Sequence, residues 1–327
     1  MKTVDLFCGC GGMSLGFKNA GYDISLSVDS WDKAIDVYKA NFSHDVENID
    51  LTDEKKAIDK IKPLSPEIII GGPPCQDFSS AGKRDESLGR ADLTYHYANI
   101  VSEIKPKYFV MENVERIKKS AILADVIKQF KDTGYGLTPV ILDASHCNVP
   151  QARTRFFLIG HLGGEDNAVL PYLAENLSRE KMTIRDYLGD ELGLEYYYRH
   201  PRNYSRRGIF SIDEPSPTVR GVNRPVPPTY QKHDGDAEQA DLATLRPLTT
   251  IERSYLQTFP KSFVFEGTKT NLEQMIGNAV PVQLAKYVAE AILSYKEQGK
   301  KSVELPDFEI PNSTLNRLIQ TEAIKFS

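Results

Sequence analysis

Several features that mark other protein classes are scarce in this chain of 327 residues. It has four cysteines and no CxxC pair, so we expect neither a zinc knuckle nor a disulfide framework, and no metal ion. No apolar stretch approaches the roughly 20 residues that a membrane-spanning helix needs. Basic residues do not predominate: the formal net charge is −5, which argues against diffuse, tail-driven binding to nucleic acid. Any contact with nucleic acid must then use a local basic surface.

The composition and the first residues favour a cytoplasmic protein. Hydrophobic residues make up 40% of the chain and charged residues 26%, which are ordinary values for a globular protein. From Met1 the chain enters an apolar run at once, without the basic, apolar and small-residue order of a signal peptide. We therefore expect a soluble cytoplasmic protein without a membrane segment, long enough for one large domain and a smaller one.

Short apolar runs alternate with amphipathic segments through residue 160, which is typical of βαβ units. Between two of these runs, Tyr97, Ile100, Val101 and Ile104 keep the spacing of a helix with one apolar face. The pattern predicts an α/β fold with a mostly parallel sheet covered by helices. The runs that we assign to strands are 4–7, 24–28, 68–70, 108–111, 140–142 and 156–159.

A second region begins near residue 181, where prolines and tyrosines cluster and helical periodicity fades. Helical spacing returns at positions 284–292, so we expect the last segment to pack on the first domain. The sequence therefore predicts a large domain formed by residues 1–180 and 271–327. A small, loop-rich domain, 181–270, would be inserted near the C-terminus.

A glycine-rich turn follows the first predicted strand. Gly9, Gly11 and Gly12 lie in this turn, where the missing side chains let a ligand approach the backbone. The second predicted strand ends at Asp29, 20 residues after Gly9, where a carboxylate commonly binds ribose hydroxyls. These features indicate a nucleoside cofactor, whereas Ser14 in place of the third glycine of GxGxxG disfavours a nicotinamide or flavin dinucleotide. Taken alone, the turn is equally typical of a plain connection between a strand and a helix.

Cys75 is a candidate nucleophile. It follows the apolar run 68–70 and the segment GGPP, so it would lie just beyond the carboxyl end of a strand, where open α/β sheets bind their ligands. The residues after it, 76–90, are polar, charged and glycine-containing, and they predict an exposed mobile loop with cations near the thiol. A lone cysteine is more often a small buried hydrophobic residue, so the assignment needs support from other groups.

Further polar groups accompany two of the predicted strands. Glu112 follows the run 108–111, which puts a carboxylate on the same edge of the sheet as the thiol; helix capping is the simpler interpretation of an isolated acid. Arg153 and Arg155 precede the run 156–159 and alternate, so both guanidiniums face one side and suit a phosphate or a base carbonyl. A surface ion pair is the ordinary alternative for these arginines.

The local basic surface lies in residues 199–224. Six arginines stand there against two acids, Asp213 and Glu214, giving a local charge of +4. Arginine binds guanine edges in the major groove as well as phosphates, so the cluster suits sequence-specific DNA binding; a solvated basic face is the alternative. The arginines and their hydrogen-bonding neighbours are Arg199, Arg202, Arg206, Arg207, Arg220 and Arg224, with Asn203, Tyr204 and Asn223.

In their order and spacing, these segments resemble those of a known family, the C5-cytosine DNA methyltransferases of bacterial restriction-modification systems. The resemblance covers nearly the whole chain, and the combination of motifs is very specific. The motifs that carry it are DLFCGCGG, GGPPCQDFS, MENV, QARTR, RPLTTIERSYLQTFP and IGNAVPV. The resemblance implies a Rossmann-like, S-adenosylmethionine-dependent methyltransferase domain and a smaller target-recognition domain.

The resemblance also implies a reaction and its partners. A methyl group would pass from S-adenosylmethionine to carbon 5 of cytosine in double-stranded DNA, leaving S-adenosylhomocysteine, without a metal ion. The protein would act as a monomer on DNA, in the cytoplasm and at the nucleoid. It would protect this DNA from a separate, cognate restriction endonuclease.

For the cofactor, the resemblance implies that Asp29 holds the ribose and that Asp50 lies near the adenine. Many relatives place an aromatic residue directly after the ribose-binding acid, whereas here Ser30 precedes Trp31, so each of the two is a candidate for the adenine contact. The expected cofactor-binding residues are Phe7, Gly9, Gly11, Gly12, Asp29, Trp31, Asp50, Leu51, Pro73, Asn278 and Ala279.

Catalysis, by the same resemblance, begins when the Cys75 thiolate attacks carbon 6 of a cytosine flipped out of the duplex. Glu112 would protonate N3 of the ring, which requires a raised pKa. Arg155 would hold the base carbonyl and Arg153 a backbone phosphate, while the loop 76–90 closes behind the base. The residues expected to contact DNA are Gln76, Ser79, Arg90, Arg206, Arg207, Arg220, Asn223 and Arg224.

Two alternatives stay open. An RNA (tRNA) cytosine-5 methyltransferase of the same fold would use identical thiolate chemistry, although the CFT tripeptide that accompanies that substrate in tRNA-methylating relatives is absent. A catalytically silent DNA-binding homologue would not need the intact motifs around Cys75 and Glu112. A nicotinamide-dependent oxidoreductase is disfavoured by Ser14 and leaves the segment GGPPCQ unexplained.

Overall fold

The computed structural model describes residues 1–74, 93–203 and 206–301. The predictions made for the loop after the second proline of GGPP therefore concern residues outside these ranges, as does the one made for Tyr204. The loop residues in question are Cys75, Gln76, Ser79 and Arg90.

A mostly parallel sheet forms the centre of the described structure. Its strands and one short strand outside it are β1 (Lys2–Leu6), β2 (Asp23–Asp29), β3 (Asp45–Asn48), β4 (Ile68–Gly71), β5 (Tyr108–Val114), β6 (Tyr135–Asp143), β7 (Gln151–Ala152) and β8 (Thr154–Leu162). All but β7 join one sheet of seven strands in the order β3-β2-β1-β4-β5-β8-β6. The first five strands in this order, β3, β2, β1, β4 and β5, are parallel. Strand β8 is antiparallel to both of its neighbours, β5 and β6. The predicted α/β fold class is confirmed.

Helices cover both faces of this sheet. The helices of the described ranges are α1 (Gly12–Asn19), α2 (Asp32–Asn41), α3 (Glu54–Ile61), α4 (Leu93–Ile104), α5 (Ala121–Thr133), α6 (Leu170–Glu175), α7 (Ile184–Leu188), α8 (Thr250–Leu256), α9 (Lys269–Asn278) and α10 (Val282–Gln298). The cores on the two faces of the sheet include α1, α3, α4, α5, α6 and α10. Within β4, Ile68 and Ile70 pack into the core beneath α1, α6 and α10, whereas Ile69 packs into the core beneath α3, α4 and α5. Burial on both faces explains why the central strands are continuous apolar runs.

One strand of the sheet, β3, has no counterpart among the predicted strands. Its sequence is DVEN, its residues are partly or fully exposed, and it lies at an edge of the sheet. An edge strand needs no apolar run on both faces, and charged residues there discourage pairing with other chains. The search for apolar runs therefore passes over β3.

The reversed strand β8 brings its first residues to the edge where the parallel strands end. In the register of the two strands, Arg155 of β8 lies opposite Val114 of β5, and Phe157 lies opposite Glu112. A strand that ran parallel to β5 would have put this arginine at the opposite edge. The antiparallel pairing therefore places the arginine motif next to the acid motif.

The last helix, α10, packs against the first helix, α1. Gly16 of α1 makes this close approach possible, because a Cβ on it would lie 2.5 Å from Cβ of Ala285 and 2.5 Å from the carbonyl oxygen of Val282. Leu284 and Val288 of α10 are fully buried in the same core as Phe17 of α1. The helix α10 is thus an integral part of the sheet's outer layer.

The region between residues 181 and 270 is built mainly from loops. Its short strands are β9 (Tyr196–Tyr198), β10 (Ile209–Ser211) and β11 (Ser216–Pro217). The first two pair antiparallel, while β11 pairs with β7. Its apolar cluster includes Tyr197 and Phe210 and continues into Met275 of α9 and Val282 of α10. In the ranges that the structure describes, no helix is both long and apolar enough to cross a membrane.

Candidate active site

A cavity of about 390 Å³ opens where β1, β2, β4 and β5 end. Open α/β sheets bind their ligands at this edge. The glycine-rich turn, the acid motif, the arginine motif and the last motif meet in its wall. The predicted site residues that line it are Phe7, Gly9, Gly12, Asp29, Trp31, Asp50, Leu51, Pro73, Glu112, Arg153, Arg155, Asn278 and Ala279.

The turn between β1 and α1 presents its backbone to this cavity. Phe7 and Gly9 have positive φ values of 60° and 54°. For Phe7 this is a strained conformation of a kind that clusters at ligand sites, and a Cβ on Gly9 would have no atom within 4 Å. Asp29 fixes the turn, since its Oδ2 accepts the N–H of Gly9 at 2.8 Å and its Oδ1 accepts the N–H of Trp31 at 2.8 Å. One carboxylate therefore orders two segments of the cavity wall.

The other two glycines of the turn allow close packing. Gly11 has a φ of 95°, and a Cβ on it would lie 2.4 Å from ring carbon Cε2 of Phe42. A Cβ on Gly12 would lie 2.3 Å from the carbonyl oxygen of Val280. Gly12 also lines the cavity, whereas Gly11 does not. We therefore assign Gly11 to the packing of α1 against α2 rather than to direct contact with a ligand.

Glu112 lies near the end of β5 with only 8% of its surface exposed. Burial raises the pKa of its carboxyl above the usual range, and the opposing attraction of Arg155 and Arg153 does not cancel this effect. The carboxyl group therefore keeps its proton to a higher pH than an exposed glutamate does. A group in this condition can give a proton to a basic atom in the cavity.

Arg155 is held beside this acid. Its Nε donates to Oε1 of Glu112 at 2.9 Å, and one of its terminal nitrogens donates to the carbonyl of Thr154 at 2.8 Å. Gly72, just after β4, leaves room for the carboxyl group, because a Cβ there would lie 3.1 Å from Oε2 of Glu112. The cavity thus contains a buried acid and a guanidinium in fixed mutual positions.

Arg153 has other partners than the phosphate expected from the sequence. Only 1% of its surface is exposed. Its terminal nitrogens donate to the main-chain carbonyls of Val219, Gly277 and Ala279, each at 3.1 Å. In the structure Arg153 joins the region after β11 to the end of α9, and its terminal nitrogens are engaged there. The phosphate contact that the resemblance implies stays a prediction.

Asn113 is a site residue that the sequence analysis did not single out. It is 3% exposed, and its side-chain amide donates to the carbonyl of Pro73 at 3.0 Å. Its side-chain oxygen accepts the N–H of Val114 at 2.8 Å. Asn113 therefore ties the end of β5 to Pro73 and Pro74, which both line the cavity. Its place in the motif MENV, next to the acid, is the signal that could have identified it.

Over most of its length, the chain matches the model of one protein family. The model of the C-5 cytosine-specific DNA methylases matches residues 1–294. The chain belongs to this family. The predicted family, fold class and enzyme class, a DNA (cytosine-5) methyltransferase, are therefore confirmed.

Individual relatives of this methylase agree with the assignment. The chain is 66% identical to the Type II methyltransferase M.HindV of Haemophilus influenzae, over 93% of this chain and all of the relative. It is 55% identical to the Type II methyltransferase M.HgiDI of Herpetosiphon aurantiacus, over 92% of this chain and 96% of the relative. The crystal structure of the S. pombe Dnmt2 methyltransferase shares the fold, with a TM-score of 0.66 and 19% identity over 91% of this chain and 99% of that one.

The expected DNA-contacting residues that lie within the described ranges fall into two groups. Arg207 pairs with Glu214 and stacks over the ring of Phe210 at 4.2 Å, so its guanidinium is engaged within the protein. Arg220 donates to the carbonyl of His200, and Asn223 donates to the carbonyl of Leu248 at 2.7 Å. By contrast, the remaining two are exposed. These are Arg206 and Arg224.

A wider basic cluster surrounds Arg220 than the sequence indicates. Arg253 of α8, outside the segment 199–224, donates to the carbonyl of Arg220. Burial and the neighbouring charge of Arg220 lower the pKa of Arg253 to about 10. Burial and the neighbouring arginines, Arg220 first among them, also lower the pKa of Arg199 to about 10. The hydrogen bond places Arg253 beside Arg220, and Arg253 also pairs with Glu273. In the sequence, only the motif RPLTTIERSYLQTFP indicates that Arg253 takes part.

Proposed function

We propose that this methylase acts on a defined sequence in duplex DNA, through a covalent bond between Cys75 and a flipped-out cytosine. The observation that carries the proposal is the cavity itself, where Glu112 and Arg155 share a wall with Asp29 and the glycine-rich turn. A base held by the first pair would lie within the same cavity as a nucleoside held by the second. Pro74 lines this cavity and directly precedes Cys75 in the chain.

The residues present suit S-adenosylmethionine. Asp29 and Asp50 offer carboxylates for hydroxyl and amino groups of the nucleoside, and Phe7 and Leu51 offer apolar surface. Ser30 and Trp31 both line the cavity, so each remains available for the adenine contact. When bound, S-adenosylmethionine supplies an electrophilic methyl group and leaves as S-adenosylhomocysteine.

Within the described ranges, the lining of the cavity does not resemble a dinucleotide site. Of the two cations in the described lining, Arg153 is engaged by three main-chain carbonyls, and Arg155 is paired through its Nε with Glu112. Asn278 and Ala279, which belong to the last motif, also line the cavity. A nucleoside without phosphates therefore fits the described lining better than a dinucleotide does.

The chain's own residues would prepare cytosine for methylation. The Cys75 thiolate attacks carbon 6, and the negative charge that develops at N3 is neutralised by the proton of Glu112. Arg155 donates to the base carbonyl, and carbon 5 becomes nucleophilic. Once carbon 5 carries the methyl group, N3 returns its proton to Glu112. The carbon 5 proton then passes to water, and Cys75 leaves as a thiolate while the aromatic ring is restored. The base must first leave the duplex, which costs roughly a few kcal/mol.

We further propose that residues 181–270 act as the target-recognition domain and that the large domain comprises 1–180 and 271–327. The relatives M.HindV and M.HgiDI are named Type II methyltransferases, which supports a role in restriction-modification. The methylase would protect its DNA site from a separate endonuclease, acting as a cytoplasmic monomer on DNA.

Incubation of the Cys75→Ser protein with duplex DNA and labelled cofactor tests the nucleophile. We expect methyl transfer to be lost, while Cys147→Ala, which alters a buried cysteine of the core, keeps it. Duplex DNA with 5-fluorocytosine in the target position should trap a denaturation-resistant adduct in the wild type and in Cys147→Ala, but not in Cys75→Ser. Undiminished transfer by Cys75→Ser would remove Cys75 from the mechanism, and transfer to RNA but not to DNA would favour the RNA methyltransferase alternative.

A further inference from the structure

The segment 219–224 of this methylase starts in the interior and ends on the surface. Val219 is 5% exposed, and its carbonyl accepts a hydrogen bond from Arg153. The backbone that follows lies directly against α9, because a Cβ on Gly277 would be 2.3 Å from the nitrogen of Gly221. A Cβ on Gly221 would in turn meet the side-chain oxygen of Gln274 at 2.7 Å. The inner half of the segment is therefore packed without spare room.

Two polar side chains hold the outer half in place. Arg220 donates to the carbonyl of His200, and its own carbonyl accepts from Arg253. Asn223 donates to the carbonyl of Leu248 at 2.7 Å. Two of these bonds reach main-chain carbonyls of other segments, and the third brings the Arg253 side chain to the main chain of this one, so together they fix the path of the chain. They also leave Arg220 and Asn223 poorly placed to contact a base.

The two remaining side chains of the outer half face solvent. Val222 is 56% exposed, more than any other large hydrophobic residue in the described part of the chain. Arg224 is exposed, and within the described ranges no carboxylate forms an ion pair with it. Pro225 follows directly and restricts the backbone at this point. An exposed apolar side chain and an exposed guanidinium thus stand two positions apart on a segment that hydrogen bonds hold in place.

We propose that Val222 and Arg224 are the base-contacting residues of this segment, with Arg224 donating to O6 and N7 of a guanine and Val222 packing on the methyl group of a thymine. The inference rests on the proposed function, in which duplex DNA is the substrate. In the major groove, a guanidinium matches the two acceptors of guanine, and an apolar side chain matches the thymine methyl group. The neighbouring arginines supply the positive potential that attracts DNA to this surface.

The same segment is linked to the catalytic cavity. Arg153 holds the carbonyl of Val219 together with those of Gly277 and Ala279, and Gly277 and Ala279 line the cavity. Val222 and Arg224 are therefore attached to the active site through packed backbone rather than through a loose linker. This arrangement sets a fixed distance between the bases that they contact and the cytosine that enters the cavity.

Bisulfite sequencing of random-sequence duplexes methylated by the full-length protein tests the proposal. The sequences that the wild type methylates define its recognition site. In that site, Arg224→Gln should lower the preference for one guanine at least about 5-fold. Val222→Ala should lower the preference for one thymine by about 3-fold or more. The controls Lys269→Gln and Leu242→Ala remove another exposed cation and another exposed apolar side chain, and should leave the site unchanged.

Base analogues in the mapped site sharpen the test. Deoxyuridine lacks the thymine methyl group, so it should slow methyl transfer by the wild type but not by Val222→Ala. 7-Deazaguanine lacks N7, so it should slow methyl transfer by the wild type but should not slow Arg224→Gln further. Equal slowing of Arg224→Gln on every sequence would mean a phosphate contact and would overturn the proposal. A wild type with a defined site that both variants keep would overturn it as well, whereas a wild type that methylates no DNA would overturn the proposed function instead.

Discussion

Nε of Arg155 donates to Oε1 of Glu112 at 2.9 Å across the antiparallel strands β8 and β5. Two opposing effects act on this carboxyl group: burial raises its pKa, and the arginine beside it lowers its pKa. Burial is the larger effect, so the pKa of Glu112 is raised overall. The pair therefore combines an acid that keeps its proton with a cation that limits how firmly the proton is held.

Replacement of Arg155 should change the pH dependence of methyl transfer. Protonated Glu112 is the active form in our mechanism, so the rate should fall as pH rises through its pKa. Arg155→Met removes the cation that lowers this pKa, and the falling limb should move to higher pH. The maximal rate should drop by about 10²–10³ because the donor to the base carbonyl is lost.

Single-turnover rates between pH 6 and pH 10 measure both effects. Arg116→Met removes an exposed arginine of the segment that follows β5 and should leave the limb where it is in the wild type. If the rate of Arg155→Met falls at the same pH as the rate of the wild type, the pKa of Glu112 does not determine this pH dependence.

Replacement of Arg153 should destabilise the fold. Arg153→Met leaves the carbonyls of Val219, Gly277 and Ala279 without their common donor, and we expect the free energy of unfolding to fall by roughly 3 kcal/mol. Urea denaturation followed by circular dichroism measures the change. Lys269→Gln, at an exposed position, should stay within about 0.5 kcal/mol of the wild type. If Arg153→Met keeps full stability but loses salt-dependent DNA binding, Arg153 contacts a DNA phosphate, as the resemblance implies.

Much of the site follows from sequence because of where parallel strands end. Asp29 and Glu112 each lie at or near the last residue of a predicted strand, and parallel strands deliver such residues to one edge. The arginine motif reaches the same edge only because β8 runs backwards, and nothing in the alternation of apolar runs shows the direction of a strand. The motif resemblance, and not the periodicity, supplied this part of the prediction.

The roles of individual polar side chains were harder to predict. Arg153 and Arg155 look equivalent in sequence, yet one is bound to three carbonyls and the other to an acid. Arg220 and Asn223 likewise look like DNA contacts but hold their own segment. For Arg153, Arg220 and Asn223 the partner is a main-chain carbonyl brought near by packing. Carbonyls occur at every residue, so the sequence carries no mark of which one is used.

Asp5 should make the stability of the protein depend on pH. It is 1% exposed, accepts a hydrogen bond from the Ser14 hydroxyl at 2.5 Å, and burial raises its pKa from 3.8 to about 7. Folded Asp5 therefore holds a proton that the unfolded chain has released between these pH values. The stability that it contributes is complete below pH 3.8 and is lost as pH rises to about 7.

Thermal unfolding of Asp5→Asn at pH 5 and at pH 8 tests this dependence. An amide does not titrate, so the variant should gain roughly 2 kcal/mol relative to the wild type between the two pH values. Asp36→Asn, whose parent side chain is 63% exposed, should show no such gain. An equal difference from the wild type at both pH values would mean that folded Asp5 is already ionised at pH 5.

Gly16→Ala should loosen the contact between the first and last helices. Alanine gains about 1 kcal/mol of helix propensity, but here its methyl group would meet the Val282 carbonyl and the main chain of Lys286 at 2.5 and 2.7 Å. Backbone cannot move aside as a side chain can, so overpacking should prevail, with a net loss of about 1–2 kcal/mol. Urea denaturation measures it, with the exposed Lys18→Ala of the same helix as the control; a stabilised Gly16→Ala would contradict the packing.

The attachment of the segment 219–224 has a consequence for how specificity can evolve. Arg153 donates hydrogen bonds to main-chain carbonyls, and a carbonyl is present whatever amino acid occupies position 219. The catalytic part of the molecule therefore places no demand on the identity of the side chains that face the DNA. New target sequences can arise by substitution within this segment, or by its exchange between relatives, while the machinery that carries out the chemistry is inherited unchanged.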